Sequence, residues 1–213
     1  MKKGNRNLLI SLKYILTILL FLSVNSITAQ LDFGIKAGLN IANFNTESDE
    51  FESFTAYHIG IFTNIDVSDL FSFQPGALYS IKGAKTIIDG NEANYNLSYL
   101  EIPINLASSF GKFNVFAGPY FAFGLEGNII YETEREKIQF VYDEKDLNAG
   151  VEHGISMVDL GLNIGLGYEI NKNITLQGAY GIGLYNLNPK INGESPKLKS
   201  TNEVLQFSIV LYL

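Results

Sequence analysis

The chain has 213 residues, of which 22 are acidic, 15 basic and none cysteine, giving a formal charge of −7. An acidic balance excludes a nucleic-acid binder, because phosphate contacts draw on Lys and Arg. The missing cysteines exclude disulfides and thiolate metal sites, and the length suits one domain behind a leader.

The leader comes first. Lys2, Lys3, Arg6 and Lys13 form a positive start, Tyr14 to Val24 is mostly aliphatic, and Ile27-Thr28-Ala29 precedes Gln30. That order reads as a cleaved signal peptide over residues 1–29, with a mature domain over 30–213. The apolar run breaks at Ser23, Asn25 and Ser26, short of the roughly 20 residues a spanning helix needs. Cleavage removes four of the fifteen basic residues and no acidic one, leaving 11 against 22, a formal charge of −11. No cysteine follows the cleavage point, so no lipid-modified N-terminus is expected.

Strict alternation then predicts strands one after another. Leu31, Phe33, Ile35, Ala37, Leu39 and Ile41 oppose Asp32, Gly34, Lys36, Gly38 and Asn40. Tyr57, Ile59, Ile61 and Ile65 oppose His58, Gly60, Asn64 and Asp66, with Phe62 a bulky exception on the second face. Phe71, Phe73, Pro75, Ala77, Tyr79 and Ile81 oppose Ser72, Gln74, Gly76 and Ser80. Leu100, Ile102, Ile104 and Leu106 oppose Tyr99, Glu101, Pro103 and Asn105, and the row from Phe113 to Phe123 opposes Asn114, Gly118, Ala122 and Gly124. Val158 to Ile170 interleaves even-numbered bulky residues with Asp159, Gly161, Asn163, Gly165 and Gly167. A strand from Ile174 to Leu184 and a last one from Leu205 to Leu213 complete about eight. So many glycines on one face predict a crowded, narrow interior.

Connections alternate in length. Short ones lie near 67–69, 108–111 and 171–173; long polar ones near 45–54, 83–94, 126–154 and 188–202. Short turns at one end and long loops at the other, with bulky apolar faces and small or polar opposite faces, predict an all-β, antiparallel transmembrane β-barrel of about eight strands. Its place would be a bacterial outer membrane. A soluble sandwich or barrel would need its dry core on the apolar face, and the other face offers too little covering polarity. Tyr57, Phe71, Tyr79, Phe113, Phe123 and Tyr168, near strand ends, fit an interfacial girdle. Pro75, Pro103 and Pro119 lie inside strands and are expected at bulges.

Four segments in this order resemble a known family: Phe33-Gly34-Ile35-Lys36-Ala37-Gly38-Leu39-Asn40, Phe73-Gln74-Pro75-Gly76-Ala77-Leu78-Tyr79-Ser80, Tyr99-Leu100-Glu101-Ile102-Pro103-Ile104 and Phe116-Ala117-Gly118-Pro119-Tyr120. They resemble the PorT-like outer-membrane β-barrels of Bacteroidetes-type bacteria across essentially the mature chain. The resemblance implies an eight-stranded outer-membrane barrel and, since PorT itself is associated with the type IX secretion apparatus, a link to secretion. It carries over no catalytic motif. The final Tyr212-Leu213 departs from the usual aromatic last residue.

An eight-stranded interior is just wide enough for side chains to fill. Lys36, His58, Glu101 and Asp159 are the candidates for a polar network in the lumen, with Lys36 expected to pair with Glu101 or Asp159. Asn40, Asn64, Asn105, Asn163 and Gln177 share that face. A serine–histidine–carboxylate site for lipid chemistry would centre on His58, beside Ser80 and Glu101. The loop over 126–154 is the most charged; Glu132, Glu134, Asp143 and Asp146 are its candidate contacts at the cell surface, and Ile138, Phe140 and Tyr142 predict a hairpin beyond the membrane. No calcium-loop pattern, metal site or cofactor motif is present, and no catalytic set is expected. The expected role is structural or accessory in the cell envelope, with outer-membrane lipid and envelope or secretion proteins as partners and a monomeric barrel as the unit. The alternatives are a free-standing surface or adhesion barrel and a lipid-modifying enzyme at His58.

Overall fold

The computed structural model describes residues 31–46, 51–88, 90–132, 134–150 and 153–213, so the expected signal peptide lies outside the described residues. Among the described residues ten strands follow in order: β1 Leu31–Asn45, β2 Phe54–Asp66, β3 Phe71–Ile88, β4 Asn91–Phe110, β5 Phe113–Ile130, β6 Arg135–Val141, β7 His153–Ser156, β8 Val158–Asn171, β9 Ile174–Gly183 and β10 Thr201–Tyr212. Eight of them close a ring. β1 pairs with β2 and β10, β4 with β3 and β5, and β8 with β5 and β9, all antiparallel. The short β6 pairs with the outer end of β5, and β7 adds to it in parallel. Closure leaves the ring no unpaired edge, which a bilayer demands because lipid offers backbone groups no hydrogen bonds.

The alternating faces fall as expected. Ile61, Ile164 and Leu166 are each more than 60% exposed, whereas Lys36, Asn40, His58, Glu101 and Asp159 are buried in the lumen. The six girdle aromatics all face outward, with Tyr57 beside Tyr79 and Phe113 beside Tyr168. At ~3.3 Å rise and ~40° tilt, the exposed row from Leu31 to Ile41 spans roughly 25 Å of height, the size of a lipid-facing band. Phe62, the exception in β2, points inward and is 1% exposed. Ile81, placed with the lipid-facing row of β3, is only 7% exposed. Ile164→Arg at mid-height of β8 is therefore expected to cost ~2–4 kcal/mol in a bilayer, measured by urea unfolding in vesicles.

Two expectations need correction. The segment 83–94 is not a loop: β3 and β4 continue through it as a paired ladder from Gly83↔Asn96 to Ile88↔Asn91. The prolines do not sit at bulges either. Pro75 pairs opposite Ile104, Pro103 opposite Tyr120 and Pro119 opposite Leu162, and the register is the same on both sides of each. Ladder pairs are simply interrupted nearby, which absorbs the missing N–H without an extra residue.

The strand extensions follow a different rule from the membrane band. On β4, inward Ala93, Leu97 and Tyr99 are fully buried, while outward Glu92 is exposed and Asn94 and Asn96 are partly so. Just below, inward Glu101 and Asn105 are polar and outward Leu100 and Leu106 are exposed. The pattern inverts at Tyr99–Leu100, where solvent changes from lipid to water. A register shift between Ser98 and Tyr99 marks the same level, and it re-phases β5 so that Ile129 turns inward beside Leu97. Above the membrane the wall thus has its own soluble-type core: Phe44, Ala84, Ala93, Leu97, Tyr99, Ile129, Ile138 and Leu187. The predicted hairpin of the long loop is present as outer β5 with β6, and Ile138 and Phe140 pack into this core while Tyr142 faces out.

Candidate functional site

Three polar layers fill the lumen beneath that core. The lowest holds Lys36, whose ammonium lies 5.9 Å from the ring centroids of both Phe62 and Phe116. Below it, Gln74 donates to Asn64 at 2.9 Å and Asn64 to Asp66 at 2.7 Å.

The middle layer centres on His58. Its Nδ1 lies 2.8 Å from Asn40 Oδ1 and its Nε2 2.8 Å from Ser208 Oγ. Asn40 Nδ2 donates onward to Ser80 Oγ at 3.1 Å and to the Ile81 carbonyl at 2.8 Å. Gly38 makes this layer possible. It stands in register between His58 and Ser208, and a Cβ there would lie 2.8 Å from His58 Cε1. The same crowding recurs at Gly161, over which Tyr120 leans, and at Gly165, over which Phe116 leans.

The upper layer is a buried charge cluster. Lys82 Nζ lies 2.8 Å from Glu101 Oε2 and 3.0 Å from Asp159 Oδ2. Asn202 Nδ2 donates to Asp159 at 2.9 Å, and Tyr120 donates its hydroxyl to the same carboxylate at 3.2 Å. The Lys82 ammonium also sits 4.1 Å from the Tyr120 ring centroid and 5.5 Å from that of Tyr99. Register explains the meeting: Glu101, Ala122 and Asp159 stand in one row across β4, β5 and β8, and the small Ala122 between them lets both carboxylates reach one cation. Side chains of all three ions are at most 2% exposed. Asn202 and Tyr120 supply further hydrogen bonds to Asp159, while Glu101 relies on the Lys82 ammonium alone.

Of the lumen candidates, Glu101 and Asp159 meet in this cluster and His58 joins the layer beneath. The expected pairing of Lys36 is corrected: among the described residues no carboxylate comes within ion-pair distance of it, and Lys82 takes that place. Lys82 shares the face of Ser80 two residues earlier, so period-2 phase would have found it had the strand been carried past Ile81. The proposed triad is also not assembled. Ser80 bonds Asn40 rather than His58, and Glu101 bonds Lys82.

At the outer end the connections β1–β2, β5–β8 and β9–β10 meet the top of β4 over the plug. They enclose a cavity of about 290 Å³ lined by Phe44, Phe51, Tyr95, Ile138, Ile155 and Leu187, with Glu144, His153, Asn188 and Ser200 also facing it. Backbone bonds fasten its walls: Ser156 N to Leu187 O at 2.7 Å, Leu187 N to Ser200 O at 2.7 Å and Glu144 N to Lys190 O at 2.8 Å. Burial, Tyr131 and Glu136 push the Tyr95 phenol up, so it stays neutral.

The four acidic loop candidates divide. Glu132, Glu134 and Asp146 are exposed. Asp143 is instead buried and ties two loops together, accepting from Lys145 N at 3.2 Å and Gly193 N at 2.6 Å. Desolvation alone would raise its carboxyl, but those backbone donors and the Lys145 ammonium outweigh it and hold it below the usual carboxylate range. Among the described residues no three His, Asp or Glu side chains converge as a metal site would require.

Solved structures of similar shape include Neisserial surface protein A, at 11% identity and a TM-score of 0.51, with 84% of this chain and 96% of that one aligned. Others are Ail, the attachment invasion locus protein of Yersinia pestis (6% identity, 85% and 98% aligned, TM-score 0.48), and the outer membrane protein W of E. coli (13%, 88% and 100%, 0.42). At such identities the first shows the fold alone, and the other two superpose too loosely to argue from. No curated protein matches the chain at a significant level. The model of the outer membrane protein β-barrel domain, however, matches residues 25–188. With the closed eight-stranded ring and its lipid-facing belt, that match makes the chain a member of the outer membrane protein β-barrel domain family, resident in the bacterial outer membrane.

Proposed function

We propose that this barrel is a non-conducting accessory protein of the cell envelope, of the PorT-like kind, whose working surface is its outer mouth and which serves an envelope or secretion assembly. What carries the reading is a lumen filled with packed side chains. A cation–π layer, a histidine layer, a buried charge cluster and an apolar plug succeed one another along the axis, while the outer connections are built into a fastened ledge. A diffusion channel would place mobile water where these groups sit.

Two measurements test it. In planar bilayers the purified barrel is expected to show no steps above background at 1 M salt, conditions under which a porin conducts. Tagged protein taken from outer membranes in mild detergent is expected to bring envelope or secretion proteins that an unrelated barrel does not; a lone barrel would count against the accessory role.

A free-standing adhesion barrel is the weaker alternative, since the likeness to surface proteins shows the fold alone. An enzyme at His58 is weaker still: Ser208 stands on one ring nitrogen, but an Asn40 amide, not a carboxylate, stands on the other. Unchanged lipid A mass in a His58→Ala strain would remove that reading.

A further inference from the structure

The outer-mouth cavity has features that sealing the barrel does not require. Its lining includes three aromatic rings, Phe44, Phe51 and Tyr95, whose centroids are 5.3, 5.7 and 5.9 Å apart with interplanar angles of 71° to 72°. Those separations make a nearly equilateral triangle. A point about 4 Å above its centre lies about 5 Å from every centroid, within the ~6 Å reach of a cation–π contact. Ile138, Ile155 and Leu187 supply an apolar wall, and among the described lining residues the exposed Glu144 is the one carboxylate. The surroundings are acidic as well: the described residues of segments 45–56, 83–99, 124–157 and 184–203, at the outer end, include 11 acidic against seven basic ones. A cavity that sets aromatic and aliphatic side chains beside polar ones, in an acidic rim, disfavours anions and rewards a charged head on an apolar body.

We propose that this cavity binds a small organic cation, an aryl- or alkylammonium, with the ammonium over the Phe44–Phe51–Tyr95 triangle, the apolar body along Ile138, Ile155 and Leu187, and Glu144 supplying the counter-charge. The volume of about 290 Å³ admits one such molecule. The walls are held by backbone hydrogen bonds between loops, so little ordering entropy is lost on binding.

The test uses the full mature barrel refolded in octyl glucoside, a nonionic detergent that does not mimic the ligand. Isothermal titration with benzyltrimethylammonium chloride is expected to give saturable 1:1 binding, at least tenfold tighter than its neutral isostere neopentylbenzene and tighter than benzoate. Phe51→Ala should weaken it about tenfold or more, and Glu144→Gln several-fold. Both residues stand outside the closed ring, and retained heat-modifiable gel mobility verifies the fold of each variant. Equal affinity for cation and isostere, or unaltered affinity in a folded Phe51→Ala barrel, would overturn the proposal. So would no saturable binding up to millimolar ligand.

Discussion

Lys82→Met is expected to destabilise the barrel by about 3–5 kcal/mol, the cost of leaving buried carboxylates without their cation. Glu101 and Asp159 stand across Ala122 in one row, and both are drawn to the single ammonium that the substitution removes. Asn202 and Tyr120 would still solvate Asp159, but nothing would offset the repulsion between the two carboxylates. The expected remedy is specific: adding Glu101→Gln and Asp159→Asn to Lys82→Met should recover most of the loss, because the neutral trio carries no uncompensated charge. Urea unfolding in lipid vesicles, followed by gel mobility, measures both. A Lys82→Met barrel within about 1 kcal/mol of the parent would mean that the cluster is not a closed ionic unit.

Leu97→Ala should produce a loss of about 2–5 kcal/mol, the range for emptying a buried leucine site. It sits fully buried among Ala84, Ala93, Ile129 and Ile138 above the lipid belt, where water surrounds the wall and apolar packing is the main cohesive term. The effect should be local. Amides of the extended β3–β4 ladder, from Gly83 to Asn96, should exchange at least about thirtyfold faster, while those of the membrane band should hardly change. Leu166→Ala offers the contrast. That side chain is 64% exposed to lipid, so truncation trades one apolar neighbour for another and should cost far less. If both truncations cost alike, the outer extension would not be a soluble-type core.

The inversion that separates these two leucines explains where sequence reading succeeds and where it stops. Period-2 alternation with bulky residues outward identified every membrane-band strand, because one solvent acts along each outer face and flips every residue the same way. The same rule ended β3 at Ile81. Beyond it Ala84 and Ile88 turn inward and Lys85 stands at the wall in water, so apolar residues change sides and the alternation no longer reads as one strand. The spacing of the connections likewise gave the strand number, and the glycine-rich face predicted the crowding that Tyr120 and Phe116 create over Gly161 and Gly165.

Pairing was a different matter. Alternation assigns Lys36, His58, Lys82, Glu101 and Asp159 to the lumen but is silent on height, since phase repeats every two residues along a strand. Height comes from inter-strand register, and register is set by closure of the whole ring. It sets Asp159 level with Glu101 and leaves Lys36 lower, between two phenyl rings. It sets Ser208, from the last strand, beside His58 across the closing β1–β10 seam. The outer cavity needed more still, because Phe44 at the top of β1, Phe51 just after it, Tyr95 on β4 and Leu187 after β9 meet only once the barrel is shut. The sequence by itself therefore determined the class of solvent on each face, and with it the barrel and its membrane. Which polar groups meet inside it, and what stands at its mouth, was decided by ring closure, because only closure sets the relative height of strands.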